Sequence, residues 1–191
     1  KLLTGILKGI RVVKRKPNIW MWSDIHGTHT KILDYTHRPF KDVNEMDKSL
    51  INNYNKTVKE GDTCFWIGDI VMSSDFNRVE HFMSKFKKGI KNVMIFGNHD
   101  YLRPLQYTEV GFESAHTSLE VDLGFAKAIL CHDPAWSMRN PSVLHICGHV
   151  HNLFDVRRNV INVSVEVRDY RPVSLGQIRS IYRKMKYEGK K

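Results

Sequence analysis

Five short apolar runs in this 191-residue chain each end on a side chain able to ligate a metal. They are IWMWS before Asp24, CFWIG before Asp69, NVMIFG before Asn98, KAILC before His132 and LHICG before His149. A strand that stops at such a residue delivers it to one edge of a sheet, where open α/β sheets place their sites. Residues far apart in sequence therefore converge. Asp24-Ile25-His26 and His149-Val150-His151 each skip one residue, so each can aim two side chains into one pocket. Carboxylates, imidazoles and a carboxamide without thiolate suit hard-to-borderline divalent cations such as Mn²⁺, Fe or Zn²⁺.

Between these strands the periodicity turns helical. Val43, Met46, Leu50, Ile51, Tyr54 and Val58 mark one helix face, with Asp42 and Glu45 as a capping arrangement and Gly61 as the exit. Phe76, Val79, Phe82, Met83 and Phe86 mark a second helix from Asp75 to Gly89. Strand and helix alternating in this way is the pattern of βαβ units. Past His151 a further strand is expected over Val160 to Val167, then a basic tail over 176–191 with Arg179, Arg183, Lys184 and Lys186. Residues 1–17 read as an amphipathic basic element packed on the rest and ended by Pro17. No repeat or linker divides the chain, so one domain over 1–191 is expected.

Charge narrows the partner, not the reaction. A formal net charge of +10 favours polyanions: phosphorylated small molecules, nucleic acid or an acidic membrane face. Cys64, Cys131 and Cys147 are odd in number and lack CxxC spacing, which argues against a disulfide framework and for a reducing, cytoplasmic compartment. All three read as buried small hydrophobes. No run reaches the ~20 apolar residues of a membrane span.

In this order the motifs Asp24-Ile-His26, Gly68-Asp69, Gly97-Asn98-His99-Asp100, His132 and Gly148-His149-Val150-His151 resemble those of the calcineurin-like metallophosphoesterases. The resemblance spans Trp22 to His151 and is nearest to the small single-domain members of bacteria and phages, whose HRPFKDVNEMDK and DYRPVSL strings look like those here. It implies a two-sheet α/β sandwich flanked by helices, with the site at the C-terminal ends of strands. It also implies a metal-dependent phosphoric ester hydrolase that cleaves a phosphate mono- or diester by attack of a hydroxide bridging two cations, Mn²⁺ foremost. Carried over residue by residue, Asp24, His26 and His151 hold one metal, Asn98, His132 and His149 the other, and Asp69 bridges. His99 stabilises the phosphoryl group or protonates the leaving oxygen, with Asp100 orienting or charging its imidazole.

Two departures stand out. His26-Gly27-Thr28-His29 replaces the usual HFGH and removes an aromatic wall, and Met72 stands where an acid often follows the bridging aspartate. His29, Arg139 and Asn140 are the candidate substrate contacts, the last two because their loop joins two proposed ligands. A small phosphorylated substrate is the favoured reading. The alternatives are a nuclease acting on DNA or RNA, suggested by the charge, and a non-catalytic interaction module on the same fold.

Overall fold

The computed structural model describes residues 15–188, so most of the basic N-terminal element expected over 1–17 lies outside the described residues. The first half of the chain follows the expected alternation: β1 (Ile19–Trp22), α1 (Ile32–Tyr35), α2 (Val43–Thr57), β2 (Thr63–Ile67), α3 (Phe76–Met83), β3 (Lys91–Ile95), α4 (Pro104–Glu109) and β4 (Ser114–His116). The second half is strand-rich: β5 (Ser118–Asp122), β6 (Lys127–Cys131), β7 (Leu144–Cys147), β8 (Val156–Arg157), β9 (Val160–Asn162) and β10 (Val173–Ser174), closed by α5 (Leu175–Glu188). Two five-stranded sheets result, ordered β10-β1-β2-β3-β4 and β5-β6-β7-β9-β8. Strands β1 to β4 run parallel and β10 antiparallel. In the second sheet β6, β7 and β9 are parallel, with antiparallel β5 and β8 at the edges.

The first sheet is apolar on both faces because its strands are covered on both. Alternate residues separate the faces: Trp22, Cys64, Trp66 and Met94 pack with Leu50, Tyr54, Val79 and Phe82 of the helices. Met21, Phe65, Ile67 and Ile95 instead meet Leu130, Ile146 and Ile161 of the second sheet. The helix-side core is aromatic, with Trp22 and Trp66 edge-on at 4.9 Å and both rings against Phe86. All three cysteines are free and buried, as expected of small apolar side chains.

Asp42 caps α2 by accepting the Glu45 amide at 2.8 Å, and Asp75 caps α3 through the amides of Asn77 and Arg78. Four boundaries differ from the expected ones, the first being helix α3, which stops at Met83, short of Gly89. Helix α2 ends at Val58 in extended backbone, leaving Gly61 to the turn before β2. Strand β9 stops at Asn162 because a 3-10 helix over Val165–Arg168 follows. The tail after 176 is mostly helix α5, whose Ile178, Ile181, Tyr182 and Met185 join the inter-sheet core.

At the end of the first sheet away from the strand C-termini, the carboxylate of Asp62 ties the starts of β1 and β2 together. It accepts the Asn18 amide at 2.6 Å, the Trp20 indole N–H at 2.9 Å and the Lys59 amide at 3.0 Å, and pairs with Arg15 at 2.7 Å. Burial pushes this carboxyl up, but those donors outweigh burial and hold it below its usual range. A depressed folded value contributes stability above the unfolded value near ~4, and that contribution is lost as pH falls through the folded one. Asp62→Ala should therefore cost about 3 kcal/mol in urea titrations at pH 7. The loss should shrink on acidification, and an unchanged loss at pH 3 would contradict the assignment.

Candidate metal centre

Five of the parallel strands each hand one polar residue to the same rim. Asp24 follows β1, Asp69 follows β2, Asn98 follows β3, His132 follows β6 and His149 follows β7. The backbone there is unusual: Asp24, His26, Asp69, His149 and His151 all have positive φ, between 48° and 72°. Side chains other than glycine rarely adopt this left-handed region, and such residues cluster where surrounding structure enforces them. The i, i+2 pairs thus meet one pocket from a turning chain, not from a continued strand.

The enforcing contacts are mostly backbone hydrogen bonds between neighbouring strand ends. The amides of Asp24 and His26 donate to the carbonyls of Gly68 and Asp69, at 3.1 and 2.9 Å. Gly148 must be glycine, since a Cβ there would overlap the Asp24 carboxylate and the Ser23 hydroxyl. A Cβ at Gly97 would likewise strike the Asp69 carboxylate.

Asp24 and Asp69 are both buried. Asp24 accepts the His149 amide at 3.0 Å and the Ser164 hydroxyl at 2.8 Å, while Asp69 accepts the His99 amide at 2.9 Å. The second oxygen of Asp69 lies 3.4 Å from both His26 Nε2 and His132 Nε2. Asp24, His26 and His151 place ligand atoms within 4.8 Å of one another, and so do Asp24, Asp69 and His132. Asn98 Oδ1 contacts His149 Nδ1 at 2.9 Å, and the His132 and His149 rings are 5.2 Å apart. All seven residues that the resemblance assigns to metals therefore border one site.

Their electrostatics suit a cation. Neither ring nitrogen of His26, nor Nε2 of His132, has a hydrogen-bond partner among the described residues, although all three atoms are buried. Burial, only partly opposed by Asp69, pulls His26 down to about 3, so its imidazole is neutral. Burial raises the Asp69 carboxyl, but His132 and His26 more than offset this and hold it at about 2. His132 Nδ1 meets the Ile67 carbonyl at 2.8 Å, which points Nε2 at Asp69. Burial lowers His132, yet Asp69, Asp24 and that carbonyl carry it up to about 9, so a proton must leave before Nε2 can ligate. Buried imidazole nitrogens without partners are costly, and a divalent cation is a partner their chemistry fits.

Several supporting residues are absent from the sequence reading. Glu166 meets His151 Nδ1 at 2.9 Å and leaves its Nε2 to face Asp24. Arg38, fully buried, pairs with Glu166 at 2.6 Å and donates to the carbonyls of Asp24 and Ile25 at 2.6 and 2.9 Å. Burial raises the Glu166 carboxyl, but His151 and Arg38 together hold it at about 2. Asp47 of α2 accepts the Thr28 amide at 3.1 Å and steadies the loop that carries His29. The only sequence signal for Arg38 was its place in the HRPF string. Glu166 sits in a stretch that reads as plain strand.

Three expectations need correction or relocation. Asp100 does not orient the His99 imidazole: its carboxylate accepts the amides of Asp69, Ile70 and Gly97 at 2.7, 3.0 and 2.8 Å and the Tyr107 hydroxyl at 3.3 Å. It holds the turn, because three converging N–H groups bind a carboxylate better than one ring N–H does. Arg139 stacks over Trp136 at 4.8 Å on an exposed 3-10 helix over Pro134–Met138. Asn140 borders a cavity of about 290 Å³ lined by Glu120, Asp122, Lys127 and Val143 and by none of the seven proposed ligands. His29 does reach the rim, its ring 5.6 Å from His26.

No family model matches the chain. The uncharacterized protein MJ1445 of Methanocaldococcus jannaschii is 30% identical over 178 residues, covering 88% of this chain and 93% of its own. The gene 66 protein of Mycobacterium phage L5 is 23% identical over 177 residues, 78% of this chain and 85% of its own. The solved structure of AQ665, a protein of unknown function from Aquifex aeolicus, aligns with a TM-score of 0.71 at 22% identity. It covers 87% of this chain and all of its own, which shows a shared fold.

Removing Arg38 should expose the cost of this support. Arg38→Met leaves Glu166 buried without its cation and should lower unfolding free energy by about 3–5 kcal/mol. Arg38→Met with Glu166→Leu should recover much of that, since a buried apolar pair replaces a buried ion pair at little cost. Equal instability of the single and double variants in denaturant titrations would contradict this.

Proposed function

The chain belongs to the family of the uncharacterized protein MJ1445 of Methanocaldococcus jannaschii, and from that premise and its site we propose that it is a dinuclear metal-dependent phosphoesterase. Its substrate is a phosphate mono- or diester of a small molecule, its metals are Mn²⁺ by preference, and its compartment is the cytoplasm. One observation carries the reading: a single oxygen of buried Asp69 lies 3.4 Å from two buried imidazole nitrogens that come from different sheets and have no hydrogen-bond partner among the described residues.

Two divalent cations bound here would supply a water activated at neutral pH and positive charge against the phosphoryl oxygens. The protein's part is to hold the donors. Asp24, His26 and His151 form one ligand group, Asn98, His132 and His149 the other, and Asp69 belongs to both. His99 joins neither group. Its amide steadies Asp69 while its ring, 5.6 Å from that of His26, faces the same rim. There it can donate a proton to the leaving oxygen or stabilise phosphoryl charge. His29 forms the outer edge of the mouth.

The structure lends the nuclease reading little support through its basic C-terminal helix. Met185 and Lys186 border Leu144, the first residue of β7, whereas His149 follows the opposite end of that strand. The charges on the last turns of α5 thus sit at the far end of the second sheet from the proposed metals. Among the described residues no helix is long and apolar enough to cross a membrane.

Mn²⁺-loaded protein should contain close to two metals per chain, and Asp69→Ala should lose both or hold them weakly. His99→Ala should keep its metals and lose on the order of 10²–10⁴ in turnover. Two tightly held metals in Asp69→Ala would remove the bridge. Replacing Arg179, Arg183, Lys184 and Lys186 with Gln should leave turnover of a small chromogenic ester unchanged. Salt-sensitive DNA or RNA cleavage that depends on those four charges would favour the nuclease instead.

A further inference from the structure

The partner of His99 comes from an unexpected place. With Asp100 committed to three backbone amides, the imidazole would have no oriented neighbour on its own loop except Tyr101. The Tyr101 hydroxyl lies 2.9 Å from His99 Nδ1, with the two rings at 78°. The same hydroxyl also touches the Met72 sulfur at 3.6 Å. Met72 thus occupies the position at which the sequence lacked an acid, and the phenol sits between its thioether and the imidazole.

We infer that Tyr101 is the positioning residue of His99, its hydroxyl holding Nδ1 so that Nε2 stays turned to the metal rim, with Met72 as the apolar backstop of the phenol. This rests on the phosphoesterase reading for its catalytic consequence, though not for the contact itself. The arrangement has a simple physical basis. An imidazole on a partly exposed loop rotates freely about its side-chain bonds, and one directed hydrogen bond at Nδ1 both selects the ring orientation and ties the tautomer to the partner. A hydroxyl can serve either tautomer because it both donates and accepts. A carboxylate could only accept. The thioether, a weak acceptor with a flexible apolar stem, fills the space behind the phenol without competing strongly for it. Tyr101 is 52% exposed, so apolar burial does little to hold the ring and its polar tip supplies the fixed contact.

Tyr101→Phe removes only the hydroxyl and leaves the ring that packs at the loop surface. In Mn²⁺-loaded protein it should lower kcat on an alkyl phosphate roughly tenfold, about one net hydrogen bond, with KM unchanged. The loss should be smaller on p-nitrophenyl phosphate, whose leaving group needs little protonation. Adding Met72→Asp to Tyr101→Phe should restore part of the loss by offering Nδ1 a new acceptor. Independently of turnover, ¹⁵N NMR of the metal-free protein should show the His99 ring changing its Nδ1 and Nε2 shifts in Tyr101→Phe. Unchanged ring shifts together with unchanged kcat would overturn the inference, and so would a raised KM at constant kcat, which would make Tyr101 a substrate contact. If no ester is turned over even by the unmodified protein, the phosphoesterase reading fails, while the NMR comparison still decides whether Tyr101 holds His99.

Discussion

Two carboxylates buried side by side organise this molecule. Asp24 and Asp69 follow adjacent parallel strands whose ends are in register, Trp22 opposite Trp66, so neither can move away from the other without shifting the sheet. Like charges held in a poorly hydrated rim are expensive, and much nearby polar structure offsets that cost. The His149 and His99 amides and the Ser164 hydroxyl donate to them directly. His132 approaches Asp69 from the second sheet, and the Arg38 guanidinium binds the carbonyl of Asp24 itself. Two divalent cations would complete the same balance, which is why the proposed function and the local fold cannot be separated.

Close approach of backbone to carboxylate follows from this constraint. Five of the seven proposed donor residues adopt left-handed backbone, a conformation that costs each of them stability and that a strand would not sample. Parallel strands from two sheets converge on one rim only if each chain turns sharply at its end. Gly97 and Gly148 then give the neighbouring carboxylates room. Behind the turns, Asp100 gathers three amides, and Arg38 with Glu166 locks His151. Strain at the rim is thereby supported by hydrogen bonds one layer below it.

The two ends of the strands do different work. Asp62, with its four donors, clamps the starts of β1 and β2 far from the donor rim, and helix α5 covers the inter-sheet core with Ile178 and its neighbours. Stability at that end comes from apolar burial and a charge satisfied by fixed donors. The rim instead keeps buried imidazole nitrogens without hydrogen-bond partners among the described residues. Such a division is expected where binding needs groups left unsatisfied by the fold.

By itself the sequence determined the order of strands and helices through the first half and the ends at which polar residues emerge, because apolar runs of period two and stripes of period 3.6 are local signals. It also determined which strand-end residues meet at the rim, since a side chain placed just after a buried parallel strand has one edge to go to. Only the tertiary structure decided what each does with its neighbours. Asp100 and Tyr101 flank each other in sequence, yet the carboxylate turns inward to amides from the Asp69 turn while the phenol takes the imidazole. Arg38 and Glu166 lie 128 residues apart and carry no periodic signature, so their pairing depended on folding alone. The C-terminal segment looked like a solvated basic tail because its charges outnumber its apolar positions. Its helix was decided by a core that needed covering, a demand that a single segment's composition does not express.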